Sequence, residues 1–430
     1  GLAAALDPDD SPEQHFADTI AAGRNLCRNS AVEVLTEAAP GVVHELINRG
    51  MNFDRTADGS LALALEGGHS FRRIIHAGGS QTGREITGAL ARMVADQEKI
   101  TVFEETSATA LWSDGSRCHG VITDQGLIAA RATLLASGGA AALWRRTSNP
   151  WGAIGAGSVL AHAAGADLAD LEFCQFHPTC VSAPGTSWDG ALITEAIRGE
   201  GAVLLDVDGD RFTDELAPRD DVTSAILNQI EAQGGQPVRL DLRKIEVDHF
   251  PSAFKMLEMA GYDATRDPIP ISPGAHYMMG GIAVDLDGST SLPGLYAAGE
   301  AACTGIHGAN RLASNSLTEC FVFGQRAAEA GLNETGSPLP DLPEWRFDPP
   351  TAETRESVWK LAGPQRTASE LEELLDDPYP LARAIAASAL ARTESRGGHR
   401  RTDFPEPDPG LDGVHQIYDR DGRIEPRSWT

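Results

Sequence analysis

The sequence predicts an α/β protein: a sheet-and-helix domain interrupted by an insert and followed by a helical tail. Three observations predict it. Residues 100–139, "ITVFEETSATALWSDGSRCHGVITDQGLIAARATLLASGG", alternate β-branched and polar side chains around turns at "SDGS" and "DQG" and end on a buried strand. From 171 to 280 polar motifs replace that rhythm, and "TSLPGLYAAGE" then returns to a buried strand with a Gly-Glu turn. Residues 336–352, "GSPLPDLPEWRFDPPTA", read as a Pro-rich linker, with helix patterning beyond them.

Taken in order, "SPEQHFADTIAAG" begins with Ser11 and has Gln14 three residues later, the spacing of a capping box. "NSAVEVLTEAAPGVVHELINRG" reads as two helical segments broken by Pro40 and ended by Gly50. The meander follows, and "AIGAGSVLAHAAGADL" is a Gly-entered, Ala-rich helix. Past the linker, "ETRESVWKLAGPQRTASELEELLDD" and "LARAIAASALARTES" read as helices, and the tail from 396, "RGGHRRTDFPEPDPG", as coil. No internal repeat is present.

A chain of 430 residues with 41% apolar composition can build two or three cores. With 35 Lys+Arg against 62 Asp+Glu the formal charge is −27, which disfavours nucleic acid and anionic lipid as partners. No apolar run approaches the roughly 18 residues a membrane span needs. The opening "GLAAALDPDD" lacks the features of a signal peptide. Six scattered cysteines without a C-x-x-C pair point away from structural zinc and toward reduced thiols in a cytoplasm; no metal site is expected.

Four clusters carry candidate chemistry: "EGGHSFRRIIHAGGSQTG" (66–83), "LEFCQFHPT" (171–179), "LITEAIRGEGAVLLDVDGDRFTDELAPRDD" (192–221), and "SPGAHYMMGGIAVD" (272–285) with the nearby "GIHGANRLASNS" (305–316). Each has an ordinary reading. His177 beside Pro178 suits a core or turn histidine, Glu66 a surface salt bridge to Arg72 or Arg73, and Asn315 and Ser316 helix caps. Jointly they say more. His177, His276, Arg219 and Arg311 stand among small residues, and guanidinium forks match carboxylates two bonds at a time. Converging, they would make a pocket for a small dicarboxylate, with glycines allowing close approach by a planar, phosphate-bearing cofactor.

On "EFCQFHPT", "LITEAIRGEG", "LAPRD", "AHYMMGGI", "GLYAAGEAACTGIHGANRLASNSL" and "ESRGGHRRTDFP", the sequence resembles the succinate dehydrogenase/fumarate reductase flavoprotein family, and within it the aspartate-oxidising branch. The resemblance runs from residue 1 to about 330 and resumes in the tail. It implies a Rossmann-like FAD-binding domain (1–170 and 278–335) interrupted by an α+β capping domain (171–277), then a C-terminal helical domain (353–430). It implies non-covalent FAD held by Gly138, Gly139 and Glu300, with Asn315, Ser316 and Leu317 against the flavin. His177, Thr194, His276 and Arg311 would grip the substrate carboxylates. Arg219 would carry the catalytic proton, with Glu195 or Asp220 as relay. Glu66 would read the substrate ammonium, which succinate lacks. The implied reaction is oxidation of L-aspartate to iminosuccinate with oxygen or fumarate as acceptor, feeding quinolinate and NAD synthesis and linked in function to quinolinate synthase. Alternatives are a succinate dehydrogenase/fumarate reductase subunit, or an inactive fragment without FAD.

The chain departs from the family's pattern in three places. The strand and G-x-G-x-x-G loop that would open the FAD-binding domain are not among these residues. "IGAG" (154–157) puts Ala156, and "AGGSQTG" puts Ser80, where the family carries an acid. The C-terminal helical domain reads as shorter than the family's.

Overall fold

A computed structural model describes residues 1–79 and 81–429, so Ser80 lies outside the described residues. The chain opens on β1 (Leu2–Ala3), α1 (Pro12–Ala22) and α2 (Asn29–Asn48). Ser11 caps α1, its Oγ accepting from the Gln14 N–H at 3.3 Å. The return half of the expected capping box is not made, because the Ser11 N–H goes to Asp10 at 2.9 Å and the Gln14 oxygen has no partner. α2 also corrects the sequence reading: it runs unbroken through Pro40. Ala31, Val32, Leu35, Ala39, Val43 and Leu46 form one buried stripe on it, and that burial outweighs the single hydrogen bond proline removes.

β2 (Leu63–Ala64) and β3 (Ile74–Ile75) pair antiparallel beside β1, with β3 in the middle, and α3 (Thr82–Ala95) follows. The meander is present as β4 (Ala108–Ser113), β5 (Cys118–Thr123) and β6 (Leu127–Ala129), then β7 (Thr133–Leu135). Its expected first stretch, 100–107, is not strand: only its end is held, by Asp124 and Gln125 of the following turn, and Val102 and Phe103 are 58% and 59% exposed. The Ala-rich helix is α4 (Ala156–Ala164), entered from Gly155 as expected.

The insert builds its own layer. After β8 (Leu168–Ala169) come β9 (Cys174–Val181), α5 (Ala196–Gly199), β10 (Val203–Leu205), α6 (Arg219–Ala232), β11 (Val238–Asp241), α7 (Pro251–Met259) and β12 (Ile269–Met278). β10, β11, β12 and β9 form an antiparallel sheet in that order. Val181, Ile197, Leu204, Val222, Ile226, Leu240, Leu257 and Ile271 give it a separate core. The chain then returns through β13 (Gly281–Ala283), β14 (Leu295–Ala297), β15 (Ala302–Cys303) and α8 (Asn315–Gly331). β14 lies parallel to β7, the sequence-distant pairing that an interrupted α/β domain requires.

The tail holds α9 (Ala352–Leu361), α10 (Ala368–Leu374) and α11 (Pro380–Ala391), whose apolar faces join the largest core. The sequence reading is corrected beyond them. β16 (Val414–Tyr418) and β17 (Ile424–Ser428) form a hairpin that pairs with β8 and buries Ile417. The coil before it starts buried and ends solvated: residues 402–410 are exposed, but Glu394 lies between Arg392 and Arg396, and Arg392 also reaches Glu172 at 2.6 Å, just before β9. Among the described residues no helix is long and apolar enough to cross a membrane.

One buried histidine makes stability depend on pH. His15 Nε2–H donates to Asn315 Oδ1 at 2.8 Å, its Nδ1 has no partner, and burial pushes its pKa down to about 4. The unfolded chain binds a proton below roughly pH 6.5 while the folded chain does not until near 4, so stability is lost as pH falls through that window, by up to about 3 kcal/mol. Thermal melts of the wild type should therefore decline from pH 6.5 toward 4 more steeply than those of His15→Gln, which keeps the donor but cannot titrate.

Candidate active site

The two site histidines sit where β9 and β12 leave regular pairing. Register slips between Ser272 and Gly274, and again between Ala275 and Tyr277, which leaves His276 as the unpaired residue of a bulge. His177 and His276 thereby meet edge to face, ring centroids 5.0 Å apart. The Thr179 N–H donates to His177 Nδ1 at 3.3 Å, so the proton of this neutral ring is on Nε2. His276 is the opposite tautomer. Arg311 Nη2 can only donate, and it does so to His276 Nε2 at 3.2 Å; His276 Nδ1–H then donates to Ser148 Oγ at 2.7 Å. Both rings are held neutral, their pKa values pushed well below the usual histidine range by burial first and by Arg219 next.

Arg311 is buried with no carboxylate in ion-pair contact among the described residues. Nη1 donates to Ser316 Oγ at 3.2 Å, Nε has no partner, and the guanidinium carbon lies 4.7 Å from the centroid of the Tyr277 ring. Burial, then Arg219, pushes its pKa down to about 10, so it remains a cation in want of an anion. Tyr277 is fixed from below: its O–H donates to Glu319 Oε2 at 3.1 Å, and Glu319 also faces His307 at 2.8 Å. A cation over a desolvated ring is worth about 2 kcal/mol, so Tyr277→Leu should raise KM for a dicarboxylate roughly ten-fold or more. Tyr277→Phe, which keeps the ring, should stay within about three-fold by steady-state kinetics.

Arg219, first residue of α6, donates Nε–H to Glu195 Oε2 at 2.6 Å and Nη1–H to Gln175 Oε1 at 2.8 Å. Glu195 is buried, which opposes its charge, but Arg219, Arg198 and Arg311 together hold its carboxyl below the usual range. Its second oxygen accepts from the Gly67 N–H at 3.2 Å. A Cβ on Gly67 would stand 2.3 Å from that oxygen, so a side chain here would push the Glu195 carboxylate from its place. Glu66, next in sequence, accepts from Ser314 Oγ at 2.6 Å, with His76 Nε2 3.8 Å away. Its ordinary reading as a partner of Arg72 or Arg73 does not hold: Arg73 is taken up by Asp10 and Asp18, and among the described residues Arg72 makes no ion pair with Glu66. Ser314, the residue just before α8, adopts φ 62°, a left-handed conformation that non-glycine residues rarely take.

The remaining predicted residues fall in three groups. Thr194 is half-buried just ahead of Glu195, and its hydroxyl makes no hydrogen bond among the described residues. Asp220 does not touch the Arg219 guanidinium; it pairs with Arg24 at 2.9 Å and accepts from Asn310 at 3.2 Å. Asn315 directs its side chain to His15 and Thr19, Ser316 faces Arg311, and Leu317 packs against the core around Leu2 and Ile75. Sequence reasoning passed over Gln175, Ser148, Arg198 and Tyr277. Gln175 had a signal, two residues before His177 and so on the same strand face; Arg198 had another, three residues after Glu195 on a helical turn.

A family model described as an FAD binding domain matches residues 1–317, and one described as the fumarate reductase flavoprotein C-terminus matches residues 364–423. Fold and site therefore define an FAD-binding flavoprotein. The L-aspartate oxidase of Caulobacter vibrioides is 44% identical, the match covering 98% of this chain and 88% of that protein. That of Mycobacterium leprae is 40% identical over 95% of this chain and 85% of that protein. Among solved structures, a quinol-fumarate reductase with menaquinol molecules aligns at TM-score 0.89 and 28% identity, covering all of this chain (100%) and 90% of that one. Sdh1 of Mycobacterium smegmatis in complex with UQ1 aligns at 0.81 and 34%, covering 97% and 84%. The chain belongs to the L-aspartate oxidase family of FAD-dependent oxidoreductases, and its architecture is the expected one of FAD-binding, capping and C-terminal helical domains.

The residues present fit FAD. Gly138 turns at φ 76°, and a Cβ on Gly139 would stand 2.3 Å from Glu300 Oε1, so the backbone can lie flat against that carboxyl. Glu300 has one partner, the Met278 N–H at 3.0 Å, which leaves it acceptor capacity for a sugar hydroxyl, and burial pushes its carboxyl up to about 7. α8 packs against the turn that carries Glu300, through Cys320 next to Gly299.

Proposed function

We propose that this chain oxidises L-aspartate to iminosuccinate, with oxygen or fumarate as the final acceptor. The observation that carries the reading is Arg311, a buried cation with no anion, ringed by two neutral histidines and a carboxylate that its own arginines leave unpaired. FAD, when bound, supplies the hydride-accepting chemistry.

Arg311 and the Nε2–H of His177 bind the substrate carboxylates, with His276 and Thr194 completing the grip. His276 Nε2, now the acceptor for Arg311, holds the guanidinium fork in place until the substrate arrives. Glu66 takes the ammonium by a charge-assisted hydrogen bond, and Ser314 fixes its direction. Binding a dianion neutralises the surplus positive charge of Arg311 and Arg219, and burial strengthens each contact. When fumarate is reduced, Arg219 donates the proton and Glu195, in direct contact with it, is the relay. Asp220 is the weaker candidate, because its oxygens are taken by Arg24 and Asn310. The product places the chain ahead of a quinolinate synthase, and its six free cysteines suit a reducing cytoplasm.

A succinate-oxidising subunit is the second reading, and Glu66 is the observation against it. A fragment without FAD is not favoured, since the FAD binding domain model matches residues 1–317 and the match covers 88% of the Caulobacter relative. Turnover discriminates. Peroxide formed with L-aspartate supports the proposal, whereas dye reduction with succinate and none with aspartate would replace it with the second reading.

A further inference from the structure

Arg24 sits in the loop between α1 and α2, and it and Asn25 adopt φ 57° and 60°, a conformation that residues other than glycine rarely take. Three other parts of the chain hold the loop there. Arg396 Nη1 donates to the Arg24 carbonyl at 2.6 Å, the Gly413 N–H to the Asn25 carbonyl at 2.9 Å, and the Ala309 N–H to the Gly23 carbonyl at 3.1 Å. So much restraint on a backbone usually serves a side chain. Here the side chain is a guanidinium fork. Its Nε and Nη2 donate to the two oxygens of Asp220, both at 2.9 Å, and Nη2 also reaches Asp221 at 2.7 Å.

Asp220 and Asp221 are the second and third residues of α6, and the first is Arg219. A closed circuit runs from there. Asn310 Nδ2 donates to Asp220 Oδ1 at 3.2 Å, Gln175 Nε2 to Asn310 Oδ1 at 2.8 Å, and Arg219 Nη1 to Gln175 Oε1 at 2.8 Å. Gln175 Nε2 also donates to the Arg311 carbonyl at 2.8 Å, which ties both substrate-facing arginines to one amide. α6 belongs to the capping layer, whereas the loop of Arg24 packs with α1, α2 and the tail. The fork is therefore a cross-link between layers, and Arg400 backs it weakly at 3.8 and 4.0 Å.

We infer that Arg24 is a positioning residue for Arg219: by clamping Asp220 and Asp221 it fixes the first turn of α6, and through the Asn310–Gln175 circuit it sets the direction of the catalytic guanidinium. The inference rests on the role given to Arg219 above. Lysine cannot replace the fork, since one ammonium cannot span both carboxylates. The Arg24–Asp221 arm is open to solvent, with side chains 32% and 48% exposed, so salt weakens it; Asp220, at 3%, is sheltered.

The test is kcat for fumarate reduction at saturating fumarate, the step in which Arg219 donates the proton, with an artificial electron donor, at low and high salt, for wild type, Arg24→Gln, Arg24→Lys, Asp221→Asn and the Arg24→Gln/Asp221→Asn double variant, with FAD content and melting temperature measured alongside. Saturation removes any effect of salt on substrate capture. Arg24→Gln should lower kcat roughly ten-fold with FAD content and melting temperature close to wild type, and Arg24→Lys should recover less than half of the loss. The double variant should fall no further than Arg24→Gln, because both changes break one clamp. Wild-type kcat should decline with salt, and Arg24→Gln should be flat. Unchanged kcat in Arg24→Gln, a loss that follows FAD release or melting temperature, or additive losses in the double variant would each overturn the inference. If the wild type reduces no fumarate, the role given to Arg219 fails instead; the clamp is then read from the perturbation of the bound flavin's spectrum by succinate, which Arg24→Gln should weaken and an idle Arg24 would not.

Discussion

Replacing Arg311 by alanine is expected to abolish turnover and leave the fold intact. Arg311 lies buried against a ring face and two neutral groups, with a nitrogen that has no partner. In the resting protein its charge is offset only by the Tyr277 ring, two hydrogen bonds to neutral groups and the more distant Glu300 and Glu66, while burial opposes it, so the melting temperature should stay close to wild type. The substrate feels the loss. A carboxylate carried into this pocket without its partner is unpaired at a cost of about 3–5 kcal/mol, or roughly three orders of magnitude in kcat/KM. Arg311→Lys should recover only part of that, because Nη1 and Nη2 hold Ser316 and His276 at once and one ammonium cannot. Retained activity in Arg311→Ala, measured with FAD still bound, would remove the residue from the site.

The second large effect is on selectivity. Glu66→Gln keeps the shape of the side chain and can still pair with Ser314, but it loses the charge an ammonium needs. A charge-assisted hydrogen bond in a shielded site is worth about 1.5–3 kcal/mol, so kcat/KM for L-aspartate should fall by roughly 10- to 100-fold. Inhibition by succinate, which has no ammonium, should change by less than about three-fold. Equal losses for the two would mean that Glu66 supports the pocket in general, and the succinate-type reading would then stand.

Much of the site was legible because it lies in short motifs whose residue types have few other uses. His177, His276, Arg219, Arg311 and Glu195 come from four separate segments, and the structure brings them together. What was not legible depends on backbone irregularity. The bulge that frees His276 follows from register, which a single strand does not encode. The opposite tautomers of the two histidines need Thr179 and Ser148 in place, and the latter comes from a distant loop. In the fold, Pro40 was read as a break because local propensity was weighed without the buried stripe on both sides of it. The β16–β17 hairpin was hidden by the Pro- and Gly-rich run ahead of it; its strands gain their pairing from β8, some 245 residues upstream at the contact of His415 with Asp170. Arg24 carried no signal, since its role comes from a backbone held left-handed by three other segments.

The most direct measurement is anaerobic mixing of the flavin-loaded protein with substrate, followed by the visible absorbance of the bound flavin. L-Aspartate should bleach it promptly, while succinate should shift the spectrum without bleaching, because it fills the arginine-lined pocket but offers Glu66 no ammonium. Bleaching by succinate as fast as by aspartate, or no response to either with flavin fully bound, would contradict the reading of these cations and this carboxylate as one aspartate-specific site.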